Sequence, residues 1–152
     1  MVFIGMNGWG VNELFSDLTL DLRIKPHIRV LDRVSDNELL WLYKNSEFTV
    51  FPSLYEGWGI PVAESLAAGK FCLASNAASI PEVGGNLVEY LDPWDLPAWV
   101  DRLRWYIEHP EEVAIKERRI KSEYYPTSWS ETASFVLKTA KELSNAEPEM
   151  VS

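Results

Sequence analysis

The sequence predicts one α/β domain, in which helices cover both faces of a parallel β-sheet in three layers. Short apolar runs alternate with helical patterns through the first two-thirds of the chain. Capping boxes and helix-ending glycines separate the two kinds of segment. The 152 residues are 47% hydrophobic and 24% charged, which is ordinary for a globular domain long enough to bury a core.

Five apolar runs predict the strands of this sheet. Each run is short, rich in branched or aromatic side chains and bounded by turn residues. In a parallel sheet covered by helices, ligands bind beyond the carboxyl ends of the strands. The loops that follow the runs are therefore the place to look for a site. The predicted strands are residues 1–5, 28–31, 48–51, 71–75 and 87–91.

Helix signals lie between and after these runs. Asn12 and Asp95 are expected to cap helices, and Pro110 is expected to begin another. Capping boxes, in which a serine and a glutamate three residues later cap each other, occur at 35–38 and 128–131. The helix after Asp95 is predicted to bury an apolar stripe made of Leu96, Val100, Leu103 and Ile107. The charged run 116–119 is expected to be solvated, and residues 145–152 are expected to form a flexible tail after a domain of residues 1–144.

The crossing, residues 56–64, connects the third strand to a helix predicted from Val62 to Ala68. Pro61 suits the first helical position, and Gly69 suits the residue just past the end. A strand-to-helix crossing of this kind presents free backbone N–H groups and the positive end of a helix dipole. The crossing also holds two carboxylates, Glu56 and Glu64. It therefore predicts an anion site, with phosphate as the commonest guest.

Composition excludes several other functions. A net charge of −9 and a pI near 4.7 argue against nucleic acid as a partner. The single cysteine, Cys72, lies in an apolar run, which favours an inert buried thiol. The sequence has no Asp-x-Asp or histidine cluster suited to a metal. No stretch resembles a signal peptide or a membrane span, so a cytoplasmic location is expected.

An ordered set of motifs extends over nearly the whole chain. The central one is Phe-Pro-Ser-Leu-Tyr-Glu-Gly-Trp-Gly-Ile-Pro-Val-Ala-Glu, residues 51–64. The others lie at 34–36, 68–70, 75–76, 80–83, 92–93 and 128–129. With these motifs in this order, the chain resembles the Rossmann-like, C-terminal nucleotide-sugar-binding half of a retaining glycosyltransferase of family 4, which has the GT-B fold.

The resemblance implies a role for each motif residue. Glu56 is expected to lie in the catalytic centre and bind the hydroxyls of the donor sugar, and Glu64 to accept hydrogen bonds from the ribose. The base is expected to be contacted, mostly through backbone groups, by the loop that consists of Asp32, Arg33 and Val34. The donor sugar and the diphosphate are expected to be held by the N–H groups of Gly57, Trp58, Gly59 and Ile60.

The implied reaction is transfer of a hexose, with a lean toward mannose, from a nucleoside diphosphate sugar, with retention at the anomeric carbon. The acceptor would be a glycan or a lipid-linked sugar in polysaccharide biosynthesis. The family needs no metal cofactor, because helix dipoles and basic side chains offset the charge of the diphosphate. Its pattern places a strand, a loop with an arginine and a lysine, and an acceptor-binding half before residue 1. The chain is therefore expected to be inactive alone, and membrane-surface contact through that half stays open.

Other interpretations of the same residues remain open. One is a nucleotide-sugar epimerase of the same fold, which would need further acid–base residues in the loops. Another is a non-catalytic module that binds nucleotide sugars. Taken singly, Glu56 and Glu64 could be a loop residue and a solvated helix residue, while Arg33 and Lys70 could each be structural. Trp9 could cover the base or pack against the first helix.

Overall fold

The computed structural model describes residues 1–5, 8 and 10–145, and it confirms the parallel α/β fold. The strands are β1 (Val2–Ile4), β2 (Arg29–Leu31), β3 (Thr49–Phe51), β4 (Cys72–Ser75) and β5 (Glu89–Leu91). The helices are α1 (Asn12–Leu20), α2 (Asp36–Asn45), α3 (Ile60–Ala67), α4 (Ile80–Gly84), α5 (Leu96–Glu108), α6 (Pro110–Glu123) and α7 (Trp129–Asn145). A single 3-10 turn, Lys25–His27, precedes β2.

The chain divides into two compact units, Met1–Glu47 and Phe48–Ser152. In the first unit β1 and β2 form a two-stranded parallel sheet, with Phe3 opposite Val30. The capping box of α2 is present as predicted. The Ser35 amide donates to the Glu38 carboxylate over 2.8 Å, and the Glu38 amide donates back to the Ser35 hydroxyl over 3.4 Å. These two bonds fix where the helix after β2 begins.

The second unit is built on a three-stranded parallel sheet with the order β3-β4-β5. Because β4 is central, all four of its residues are buried, whereas β3 and β5 are partly buried. Helix α3 packs on β3 and β4. The core of this unit combines sheet residues with one side of each of four helices: Val62, Leu66, Phe71, Leu73, Ile80, Trp99, Tyr106, Val113 and Ile120.

Local signals placed most elements to within two residues. All five predicted strands are present, and the caps Ser128 and Asp95 hold the N–H groups of Glu131 and Ala98 at 3.2 and 3.1 Å. Asn12, however, is the first residue of α1 and not its cap, which is Val11. The short helix α4 was not predicted, because five residues are too few to show a helical period. Trp9 and residues 146–152 of the predicted tail lie outside the described residues.

The buried face of α5 differs from the predicted one. Leu96 and Ile107 are about 70% exposed, and Val100 is also exposed. The helix instead buries Trp99 and Tyr106, with Leu103 against the same core. The Trp99 indole N–H donates to the Asp92 carbonyl over 2.9 Å, so this large ring can be buried without losing its hydrogen bond.

The solvated face predicted for residues 116–119 is wrong for its first two members. Lys116 pairs with Glu89 over 3.1 Å and lies 5.0 Å from the centre of the Phe71 ring. Glu117 pairs with Lys70 over 2.9 Å, with both side chains largely buried. Arg118 and Arg119 are exposed as predicted. The helix α6 therefore contributes charges to the packing of the second unit.

Glu89 is the centre of a charged cluster between β5 and two helices. Its carboxylate accepts hydrogen bonds from the Arg102 guanidinium over 2.5 Å and from the Tyr106 hydroxyl, and it pairs with Lys116. Burial by itself would raise the pKa of Glu89, but the hydrogen bonds from its three partners outweigh burial and lower it. Burial and the same carboxylate raise the pKa of the Tyr106 hydroxyl.

None of the described helices is both long and apolar enough to cross a lipid bilayer. The single thiol, Cys72, is buried, and this burial raises its pKa to about 11, which confirms the prediction of an inert cysteine.

Glu89→Gln is expected to lower the free energy of unfolding at neutral pH by about 1–3 kcal/mol, because three donors lose a charged acceptor. The pKa of Glu89 is lower in the folded chain than in the unfolded one. The stabilisation is therefore complete above the unfolded value of about 4.3 and is lost as the pH falls through the folded value. Urea unfolding over a pH series should show the difference from wild type shrinking in acid. The exposed Glu108→Gln is the control, and an equal, pH-independent loss in both variants would contradict the prediction.

Candidate functional site

The crossing turns the chain from β3 into α3 at a glycine. Gly59 is the cap residue of α3 and has a φ of +95°, a backbone conformation that residues with a Cβ rarely adopt. The helix begins at Ile60, so Pro61 is its second residue and not its first as predicted. The N–H groups of the first and second residues of a helix have no carbonyl acceptor within that helix. A proline at either position therefore removes no intrahelical hydrogen bond. Gly69 ends the helix with a φ of +74°, as the sequence predicts.

Space is not what favours the glycine at this turn, because an added Cβ would make only ordinary van der Waals contacts. Gly59 is buried, and a Cβ there would lie 3.6 Å from the side chain of Ile80, which is itself fully buried. Gly57, two residues earlier, is exposed, and a Cβ added to it would meet no atom within 4 Å. The end of the crossing is therefore held against α4, while its start is open to solvent.

Four consecutive backbone N–H groups at this turn have no hydrogen-bond acceptor within the described part of the chain. They belong to Gly57, Trp58, Gly59 and Ile60. Gly57, Trp58 and Ile60 are exposed, so three of the four positions are accessible to solvent, whereas Gly59 is buried. The N-terminus of α3 adds the positive end of its dipole. This is the arrangement of donors that an anion requires.

The two glutamates of the crossing come before and after these donors along the chain. Glu56 precedes them and is partly buried; its carboxylate accepts a hydrogen bond from the Ser53 hydroxyl over 3.0 Å. Glu64 is partly buried four residues into α3, roughly 6 Å along the helix axis from Ile60. The structure therefore places one carboxylate before the N–H groups and one a turn beyond them, as the sequence predicts.

Three serines hold the crossing in place, a role that the sequence did not reveal. The Ser75 hydroxyl donates to the Ser53 carbonyl over 2.5 Å, and the Ser79 hydroxyl donates to the Glu56 carbonyl over 3.0 Å. Ser53 in turn reaches the Glu56 carboxylate. The only sequence sign is that each serine lies at or after the end of a strand, a position shared by many residues without such a role.

The residues predicted to contact the base lie in the first unit. Arg33 and Val34 line an open groove of about 490 Å³ between β2 and α2, whereas Asp32 does not line it. The groove is otherwise lined by Leu31, Asn37, Glu38, Trp41 and Leu42. It combines apolar walls with amide, guanidinium and carboxylate groups at its rim, which suits a flat polar ring.

Lys70 has the structural role that its sequence position left open. It follows the far end of α3, and its ammonium group pairs with Glu117. The ring of His109 is also engaged elsewhere: it stacks on Trp105 at 3.7 Å, and its Nδ1 lies 2.8 Å from the Trp105 carbonyl. Within residues 1–5, 8 and 10–145, no three His, Cys, Asp or Glu side chains come together as a metal site would require.

Comparison with known proteins shows what this chain is similar to. Residues 1–124 match the family described as Glycosyl transferases group 1. The O-antigen chain mannosyltransferase B of Escherichia coli is 35% identical over 98 residues, which make up 64% of this chain and 26% of that protein. The O-antigen chain mannosyltransferase RfbU of Salmonella typhimurium is 31% identical over 97 residues, 64% of this chain and 28% of that protein.

A third relative extends the similarity to another bacterial group. The MMP alpha-(1->4)-mannosyltransferase of Mycolicibacterium hassiacum is 34% identical over 102 residues, 63% of this chain and 24% of that protein. The chain thus spans about a quarter of the length of the curated relatives it matches.

Gly59→Ala is expected to lower the free energy of unfolding by about 1–2 kcal/mol, because alanine must adopt a strained positive φ beside Ile80. Gly57→Ala, two residues away in open space, should change it by less than about 0.5 kcal/mol. Thermal or urea unfolding of the two variants beside wild type measures both effects. Equal stabilities for the two variants would show that the left-handed turn at Gly59 does not carry the crossing.

Proposed function

Since the chain belongs to the group 1 glycosyl transferases, we propose that its crossing binds a nucleoside diphosphate sugar, the donor substrate of a sugar transfer. One observation carries this proposal: four acceptor-free N–H groups occur at the start of α3, in the described part of the chain, and the partly buried Glu56 and Glu64 come before and after them in sequence. Donors for an anion and acceptors for sugar hydroxyls are what such a molecule needs side by side.

In this proposal the diphosphate binds at the N-terminus of α3. The N–H groups of Gly57, Trp58, Gly59 and Ile60 donate to its oxygens or to the adjoining sugar. Glycine at two of the four positions allows the backbone to approach a phosphate closely. The donors are fixed before the ligand arrives, so they can stabilise the charge that develops on the leaving diphosphate without reorganising.

The two carboxylates hold the sugars on either side. Glu64, one turn into α3, accepts hydrogen bonds from the vicinal hydroxyls of the ribose. Glu56 accepts hydrogen bonds from the donor hexose in the catalytic centre. The loop of Asp32, Arg33 and Val34 contacts the base, mostly through backbone groups.

The whole protein, we propose further, transfers a hexose with retention to a glycan or lipid-linked acceptor in polysaccharide biosynthesis. Mannose is favoured because the three relatives described above are mannosyltransferases by name, two of them of O-antigen chains. This chain would be the C-terminal donor half. Transfer by the chain alone is not expected, because it spans about a quarter of the length of those relatives.

Glu64→Ala is expected to weaken nucleoside diphosphate binding about tenfold or more, because hydrogen bonds to a charged acceptor are lost. Calorimetric titration of the chain with UDP, GDP and ADP, and with their hexose conjugates, measures the loss. Glu64→Gln, which keeps the size and one acceptor oxygen, should fall between alanine and wild type. The matched control is Glu111→Gln, an exposed glutamate in the first turn of α6.

The outcome separates a ribose ligand from a solvated helix residue. If Glu64→Ala binds every nucleotide as tightly as wild type, the ribose assignment is wrong. If Glu111→Gln weakens binding equally, the effect is one of overall charge, since each change removes one negative charge from an acidic chain.

Nucleotide binding is expected to be independent of divalent metal, because the anion is held by backbone donors. Titrations in excess EDTA and in millimolar Mg²⁺ or Mn²⁺ should give affinities within about twofold of each other. A rise of tenfold or more on adding either metal would overturn this part of the proposal and would point to a metal bridged by the diphosphate.

A further inference from the structure

We propose that Ser53 and Ser79 are positioning residues that hold Glu56 against the donor sugar, a role that rests on the function proposed above. Both the carbonyl and the carboxylate of Glu56 accept a serine hydroxyl, each over 3.0 Å. One serine follows β3 and the other follows β4. A single residue is thus fixed at its main chain and at its side chain from two different loops.

The Ser79 hydroxyl is directed to Glu56 instead of to its own helix. Ser79 is the cap residue of α4, where a serine usually bonds an N–H of the first helical turn. It makes no such bond and donates to the Glu56 carbonyl. Ser79 therefore does not cap α4, and its hydroxyl instead fixes the main chain of the crossing at Glu56.

Backbone strain accompanies this anchor. Ala78, immediately before Ser79, has a φ of +49°, and it is the one non-glycine residue with a positive φ in the described part of the chain. Such a conformation costs about 1 kcal/mol or more and persists where the surroundings impose it. The strained residue sets the direction in which the chain enters Ser79 from the loop after β4.

Ser53 is itself held by a hydrogen bond from the sheet. Its carbonyl accepts the hydroxyl of Ser75, which is fully buried at the end of β4. The Ser53 hydroxyl has one proton, and its possible acceptors are the Glu56 carboxylate and the Tyr55 carbonyl at 3.1 Å. The charged acceptor gives the stronger bond. The order of contacts therefore runs from the buried strand β4 through Ser75 and Ser53 to the Glu56 carboxylate.

These anchors all engage oxygen atoms of the crossing and its lead-in. The carbonyl and carboxylate oxygens face protein hydroxyls, while the N–H groups of residues 57–60 have no acceptor in the part of the chain that the structure describes. The serines can therefore fix the crossing without using the donors that the ligand needs. Glu56 is held in one orientation, and one carboxylate lone pair is already used before the sugar binds.

The test compares the affinity for a nucleoside diphosphate with that for its sugar conjugate, using GDP and GDP-mannose, UDP and UDP-glucose, and ADP and ADP-glucose. The sugar contribution is the ratio of the affinity for the sugar conjugate to the affinity for the nucleoside diphosphate. Ser53→Ala should reduce this ratio about three- to tenfold and leave the affinity for the diphosphate unchanged. Ser53→Thr, which keeps the hydroxyl, should restore the ratio. Ser122→Ala removes an exposed hydroxyl that also donates to a carbonyl, and it is the control.

A general loss of stability would not give this pattern, since it would lower both affinities together. An unchanged sugar contribution in Ser53→Ala overturns the inference while leaving the diphosphate site intact. A failure of Glu64→Ala to weaken diphosphate binding counts against the proposed function instead.

The role of Ser79 can also be tested without any ligand, by measuring the backbone mobility of the crossing. ¹⁵N relaxation should give the amides of Gly57 and Gly59 order parameters near those of a rigid backbone, about 0.85, in wild type. In Ser79→Ala they should fall below about 0.6, and Ser79→Thr should keep them high. Equal order parameters in wild type and Ser79→Ala would show that the serine does not position the crossing.

Discussion

The left-handed turn at Gly59 is the constraint on which the rest of the site depends. Its φ of +95° lets the chain turn from the loop into α3 within one residue, and the turn lies beside Ile80. The constraint is conformational, since a residue with a Cβ would have room beside Ile80 but would be strained at this φ. Because the turn is fixed, the N–H groups before it are gathered at the helix start and not used in a further turn of backbone hydrogen bonds.

The electrostatics of the crossing follow from the charges around it. The chain carries a net charge of −9, and Lys70, which follows the other end of α3, is paired with Glu117. Within the crossing itself, the groups that face an anion would be neutral N–H groups and a helix dipole, whose individual contributions are small. Such a site selects its ligand by the positions of its hydrogen-bond donors more than by net charge. Moderate affinity suits a diphosphate that must be released after the reaction. Such selection also explains why a carboxylate on each side along the chain is tolerated, since both would accept hydroxyls from the sugars.

The sequence predicted best what short-range rules determine. The capping boxes at Ser35 and Ser128, the helix end at Gly69 and the inert Cys72 each depend on a few neighbours, and each was confirmed. The stripe predicted on α5 was wrong for Leu96, Val100 and Ile107 and right for Leu103, because periodicity cannot tell which of two apolar faces is turned inward. Trp99 and Tyr106 bury more surface than the aliphatic residues, and each finds a partner for its polar atom. The ion pairs of Lys116 and Glu117 join residues far apart in sequence, so no local pattern announces them.

The serine hydrogen bonds show why the position of a site along the chain can be predicted more readily than the orientation of its side chains. A motif with two glutamates eight positions apart identifies where the carboxylates lie along the chain. The bond from Ser53 to the Glu56 carboxylate is local, whereas the bonds from Ser75 and Ser79 come from a loop and strand end that meet the crossing only after β3 and β4 have paired. Serine is common after strands, so its presence there carries little information until the partner atom is known. The strained Ala78 is informative in the opposite way, because an ordinary residue in an unfavourable conformation indicates that the surrounding contacts outweigh its cost. The bond that Ser79 makes to Glu56 begins at the residue directly after Ala78, so the strained backbone and the anchor are neighbours in the same loop.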